Sequence, residues 1–172
     1  FELNAKGLKV FPKLKPYFHE KKYTNDSISA GVDEIDALLH GGIERGTTSI
    51  ISGPSGVGKT TLGIQFMNEA SSRGENSVVY TFEESKEILT KRSESINIPI
   101  SKMSEKNNLS IKHINPLNYS PDKFSMEVRE DVEKNDASIV MIDSISGYKL
   151  AFQNYSYTEK EMIDHLHLLA EY

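Results

Sequence analysis

The chain has 172 residues, of which 37% are apolar and 26% charged, and it contains no cysteine. That length gives one domain of ordinary size with a lean core, and the cysteine count excludes a disulfide scaffold and every Cys-based zinc, haem or nucleophile motif while suiting a reducing cytoplasm. A formal net charge of −5 argues against a globally basic nucleic-acid binder, and no apolar run approaches the ~20 residues that cross a bilayer.

In chain order, Phe1–Phe11 reads as two short alternating runs around Asn4-Ala5-Lys6-Gly7, a hairpin pattern. A lone hairpin is marginal in water, so it must add to something. Six lysines (Lys6, Lys9, Lys13, Lys15, Lys21 and Lys22) against Glu2 and Glu20 make residues 1–22 a basic arm on an acidic body. Pro12 and Pro16 mark an extended, solvated connection. The compact part begins near Ile28, where Val32–Leu39 places Val32, Ile35, Leu38 and Leu39 on one helical face and Gly41-Gly42 supplies the stop.

From Thr47 onward, strand and helix signals alternate. The β-branched runs Ser49–Ser52, Val78–Phe82, Leu109–Ile114 and Ile139–Ile142 predict strands, separated by helical patterns at about Lys59–Ser72, Lys86–Ile96 and Pro121–Lys134. Strands joined through helices mean βαβ crossovers and a mostly parallel sheet, an α/β fold. Asn97–Asn108 reads as a polar loop, and Thr158–Tyr172 as a last amphipathic helix presenting Met162, Leu166, Leu169 and Ala170.

The segment Gly53-Pro54-Ser55-Gly56-Val57-Gly58-Lys59-Thr60 fits G-x-x-x-x-G-K-[ST] in full, between a strand signal and a helix signal. Glycines let successive backbone N–H groups turn toward phosphate oxygens, and the following helix adds its positive end. Lys59 is then expected on the β- and γ-phosphates, Thr60 on Mg²⁺ and Thr61 on the α-phosphate. The motif also needs an acidic group for the metal or its waters, and Ile139–Ile142 leads into Asp143, a buried-strand pattern ending in a carboxylate. Ser144 reads equally as a phosphate contact or a helix cap.

Val78–Phe82 ends in Glu83-Glu84. Two adjacent carboxylates repel and call for a cation or water network nearby, which suits a water-activating pair; as acidic residues opening the Ser85–Ile96 helix they would fit equally well. His165 and His167 are two apart on a helix and cannot face one metal, and His19, His40 and His113 have no ligand partner at useful spacing. Tyr148, Phe152, Tyr155 and Tyr157 suit core or subunit contact better than base stacking. Neither D-x-x-G nor N-K-x-D occurs, which argues against a GTPase.

Ile28–Gly46, with its Gly41-Gly42-x-x-x-Gly46 ending, followed by Gly53–Thr61, Phe82-Glu83-Glu84-Ser85 and Ile142-Asp143-Ser144, resembles the KaiC family of RecA-type ATPases over about Ile28–Gly147. The resemblance implies a RecA-like P-loop fold with ATP and Mg²⁺ as cofactors and Glu83 and Glu84 as catalytic glutamates. It further implies a ring of subunits, a hexamer, with regulatory protein partners in the cytoplasm. Family members often carry two tandem domains, so residues 1–27 are expected to be the end of a preceding domain and its linker, and residues 28–172 the N-terminal part of an ATPase domain. In the RecA-type sheet a later strand inserts between the phosphate-loop strand and the Asp143 strand, and it is expected beyond these residues. The autophosphorylated Ser/Thr pair and the basic residues that reach a neighbour's phosphates are expected there too. Competing readings are a DNA-dependent recombinase-type ATPase and a non-hydrolysing nucleotide-dependent scaffold.

Overall fold

The structure, a computed structural model, describes residues 2–13 and 26–171. Its centre is a three-stranded parallel sheet in the order β6-β5-β7, formed by β5 (Asn76–Thr81), β6 (Leu109–His113) and β7 (Ala137–Asp143). Helices cover both faces, giving the RecA-like α/β layering. Because side chains alternate along a strand, β5 sends Val78 and Tyr80 to one face and Val79 to the other, and all three are buried.

On the Tyr80 face lie α5 (Pro121–Glu133), α6 (Ile145–Asn154) and α7 (Glu159–Glu171). Phe124, Val128, Tyr148, Phe152 and Met162 from these helices close over Val78, Tyr80 and Phe82. The opposite face carries α2 (Lys59–Ser72), α3 (Lys86–Glu94) and α4 (Ile100–Glu105), which bury Ile64, Met67, Leu89, Ile100 and Met103 against Val79 and Ile111. The aromatic group expected to be core is so for Tyr148 and Phe152, whose rings stand 5.0 Å apart, while Tyr155 is exposed.

A charged cluster lashes α5 across the sheet. Asp131 is 2% exposed and accepts from the Tyr80 hydroxyl, from Lys112 Nζ on β6 at 2.7 Å and from Asn135 Nδ2 at 2.8 Å. Lys112 also pairs with Glu127 at 3.0 Å. Burial, then the bond to Asp131, pushes the Tyr80 phenol up. A second polar anchor seats α7: His165 Nε2 lies 2.6 Å from Ser125 Oγ on α5, and its Nδ1 bonds the Tyr148 hydroxyl on α6. Desolvation pushes the His165 imidazole down to about 4.

Four expectations are corrected. Thr47–Ser52 pairs with no strand among the described residues; it is exposed throughout, with Ile50 76% accessible. The outer edge of β7 is likewise unpaired among the described residues, and a β-branched run with no ladder partner gains nothing from extended pairing. Asn97–Asn108 contains α4, because Ile98, Ile100 and Met103 turn into the core despite polar neighbours. Ile145–Asn154, read only for its aromatics, is helix α6, capped by the Ser144 hydroxyl accepting from Gly147 N–H. In the leader, α1 (Asp33–Leu38) buries no residue fully: Ile35 packs on Ile28, Ala30 and Phe66, whereas Leu38 is 79% exposed.

The hairpin forms as β1 (Glu2–Asn4) and β2 (Gly7–Lys9), a separate two-stranded unit tied to α5 by a Glu2–Lys123 ion pair at 2.6 Å. The remaining short pair, β3 (Ser27–Ile28) with β4 (Ile43–Glu44), brings Gly42 against the Ile28 backbone. There φ is +124° and a Cβ would lie 2.9 Å from Ser29 N, so only glycine fits. The second part of the basic arm, with Lys15, His19, Glu20, Lys21 and Lys22, lies outside the described residues.

Candidate functional site

The motif Gly53–Thr60 forms an exposed loop leading into α2. Gly56 and Gly58 take φ of +82° and +93°, left-handed conformations that explain glycine at both positions. Gly58 is the N-cap of α2, and no side chain caps the first turn. A 14-residue helix thus presents uncapped N–H groups and its positive end to the loop, a donor set suited to phosphate oxygens. Lys59 Nζ folds back on the loop, donating to the carbonyls of Gly53 at 2.9 Å and Pro54 at 2.8 Å. Its ammonium is therefore held over the same concavity.

β7 brings the second half of the site. Thr60 Oγ1 donates to Asp143 Oδ2 at 2.8 Å, joining residues 83 positions apart. A hydroxyl and a carboxylate in contact are hard oxygen donors of the kind that hold Mg²⁺ directly or through its waters. Thr61 follows on the first turn of α2, with its side chain half-buried. Among the described residues no group of three or more His, Asp or Glu side chains could hold a metal without further ligands, so these two residues would need oxygens from elsewhere.

Glu83 and Glu84 sit before α3, whose N-cap is Ser85. They are outside the helix rather than in its first turn, where the macrodipole would favour them most. Their side chains part. Ser144 Oγ donates to Glu83 Oε1 at 2.6 Å, on the β7 side of β5, so that Ser144 both caps α6 and touches the first glutamate. Glu84 Oε2 pairs with Arg92 Nη2 of α3 at 2.9 Å. The Glu84 carbonyl accepts from the Thr81 hydroxyl and lies 3.1 Å from His113 Nδ1 on β6.

A family model described as ATPase: KaiC matches residues 28–171. The chain belongs to the KaiC ATPase family. Among curated relatives, it is similar to the circadian clock oscillator protein KaiC of Acaryochloris marina, 24% identical over 159 residues that make up 92% of this chain and 30% of that protein. It is also similar to the circadian clock protein KaiC3 of Synechocystis sp., 26% identical over 144 residues, 84% of this chain and 28% of the relative. The chain therefore spans about a third of the length of these KaiC relatives.

Arg92 falls within the helical pattern Lys86–Ile96, and nothing in its local sequence marks it for the site. Eight residues beyond Glu84 on an exposed helix face, it looks like any solvated charge until α3 folds back beside the end of β5. Gln65 was missed as well. Its amide donates to the Ala30 carbonyl at 2.7 Å and thereby fixes the leader to the helix that follows the glycine-rich loop. All four arginines are engaged within the chain: Arg45 with Asp26 and Glu75, Arg73 with Glu69 and Glu75, Arg92 with Glu84, and Arg129 with Glu133.

Proposed function

We propose that residues 28–172 are an ATP-binding and ATP-hydrolysing domain that works in a ring of subunits, and that residues 1–27 are the end of a preceding domain with its linker. The observation that carries the reading is the Thr60–Asp143 hydrogen bond. It joins the phosphate loop to the acidic strand end, as a Mg²⁺-nucleotide site requires. In this reading the N–H groups of Gly53, Ser55, Gly56, Val57 and Gly58 cradle the phosphates, and Pro54, which has no N–H, shapes the turn between them. Lys59 leaves the loop carbonyls for the β- and γ-phosphates, Thr61 serves the α-phosphate, and Thr60 and Asp143 hold Mg²⁺. The metal supplies charge neutralisation on the transferring phosphoryl group.

One carboxylate of the Glu83-Glu84 pair takes the proton of the attacking water. The water oxygen bonds to the γ-phosphorus, the bond from that phosphorus to its bridging oxygen breaks, and ADP leaves. Ser144 orients the carboxylate it touches. In this reading the cation that stabilises charge developing on the phosphoryl group comes from a neighbouring subunit. The family likeness supports a ring, a hexamer, and the reading extends to regulatory protein partners and a cytoplasmic location. No helix among the described residues is long and apolar enough to cross a membrane.

The test separates binding from chemistry in the full-length protein. Lys59→Ala should abolish ATP binding measured by calorimetry with Mg²⁺. Glu83→Gln combined with Glu84→Gln should keep affinity while phosphate release falls by about 10² or more. Unchanged affinity in the first, or persistent turnover in the second, removes the corresponding half of the reading.

A further inference from the structure

We propose that Arg92 is a positioning residue which divides the labour of the two glutamates, holding Glu84 out of the water-activating role so that Glu83 alone serves as base. This rests on the hydrolytic reading above and deepens it. Glu83 and Glu84 are consecutive, yet the sheet order β6-β5-β7 lets them face opposite neighbours. Glu83 meets Ser144, the residue after Asp143, and so stands beside the Thr60–Asp143 contact. Glu84 turns toward α3 and β6, where its backbone is held by Thr81 and its carboxylate by Arg92.

Charge explains why the arrangement needs the arginine. The Glu84 side chain is only 19% exposed, and a second carboxylate is its immediate chain neighbour. Left alone, the pair would repel, and each group would compete for the same water and for the Ser144 hydroxyl. Arg92, 46% exposed, supplies the compensating charge from the side away from β7. The pair is neutral together, and Glu83 remains as the anion aimed at Asp143's side of the site. No other arginine can take over, since the remaining three are held in ion pairs elsewhere. Lys59 is committed to the phosphate loop. Lys86 and Lys91 line a separate shallow groove on α3 with Glu87, Thr90 and Glu94.

The experiment is steady-state ATP turnover on the full-length protein carrying single and paired substitutions. Arg92→Ala should lower kcat by roughly ten- to hundredfold while KM for ATP stays within about twofold, because the group acts on orientation and not on substrate binding. Arg92→Lys, which keeps the charge, should recover most of the loss. In a Glu84→Gln background Arg92→Ala should have no further effect, there being no charge left to hold. Wild-type kcat in Arg92→Ala, or an equal loss in the Glu84→Gln background, overturns the proposal. Should Glu83→Gln and Glu84→Gln together leave turnover intact, the hydrolytic reading itself fails. If Glu83→Gln abolishes turnover and Glu84→Gln does so equally, only the division of labour is lost. Should Arg92→Ala fold poorly, Arg92→Gln, which keeps the side-chain bulk and removes the charge, takes its place in both backgrounds with the same expected outcomes.

Discussion

Gly147, three residues into the helix that Ser144 caps, couples the core to the site, and substituting it should lower both stability and turnover. An alanine Cβ there would stand 3.1 Å from Phe82 Cγ and closer still to Phe82 Cβ. Phe82 is 6% exposed, packed against Phe124 and Tyr148 at centroid distances of 5.8 and 5.9 Å, and cannot retreat. Overpacking of this kind costs about 1–3 kcal/mol, whereas replacing glycine by alanine in a helix recovers at most about 1 kcal/mol. The clash wins, and a net loss near 1–2 kcal/mol lowers Tm by roughly 2–8 °C for a protein of this size. Because Phe82 immediately precedes Glu83 and Glu84, its displacement also shifts both carboxylates, and errors of about 1 Å at a reacting group cost up to ~10² in rate.

Gly63→Ala is the internal comparison. Gly63 also lies in a helix, but its added Cβ would meet Met141 Sδ at 2.6 Å and Cε at 2.9 Å, the far end of a flexible side chain. The methionine can swing aside, so the helix gain and the shift nearly cancel. Thermal melts and phosphate release on the two variants should therefore diverge: Gly147→Ala impaired in both, Gly63→Ala close to wild type. A Gly147→Ala protein with unchanged Tm and turnover would refute the contact between α6 and the end of β5.

Two further outcomes are expected. His165, held down to about 4 by burial, with Asp122 favouring and Lys13 opposing its proton, binds that proton in the unfolded chain near the ordinary value of 6.5. Its contribution is fully present above about pH 6.5 and is lost as pH falls toward 4, about 2–3 kcal/mol by pH 4.5. His165→Gln should flatten urea-denaturation stability across that window, and an unchanged acid loss would show that other groups carry it. Assembly should be favoured by ATP, since nucleotide at a shared boundary binds the ring better than separate subunits. Light scattering coupled to chromatography reads this directly, and turnover by a strict monomer at a rate independent of its own concentration would exclude the shared site.

The glycine-rich loop Gly53–Gly58, the helix after it and the acidic end of β7 were legible in the sequence, because local chemistry dictates them. Glycine is needed where φ is positive at Gly56 and Gly58, and a β-branched run marks a strand covered on both faces. The hairpin was legible on the same grounds, whereas the place of Glu83-Glu84 outside α3 was left open by the sequence and is decided by the Ser85 cap.

What only the tertiary structure decided lies in contacts between segments distant along the chain. Thr47–Ser52 has strand composition, but a strand exists only with a ladder partner, and composition carries no record of one. α4 is polar by count and helical because three apolar side chains find the core beside Leu89 and Leu109. Lys112, Glu127 and Asp131 read as ordinary surface charges until β6 and α5 close over Tyr80. Arg92 belongs to this class: its identity as an exposed helical cation is local, while its place beside Glu84 depends on the path of α3 across the end of β5. Charge interactions act through space, so residue type alone could announce the need for a cation near two adjacent carboxylates but could not say which cation meets it.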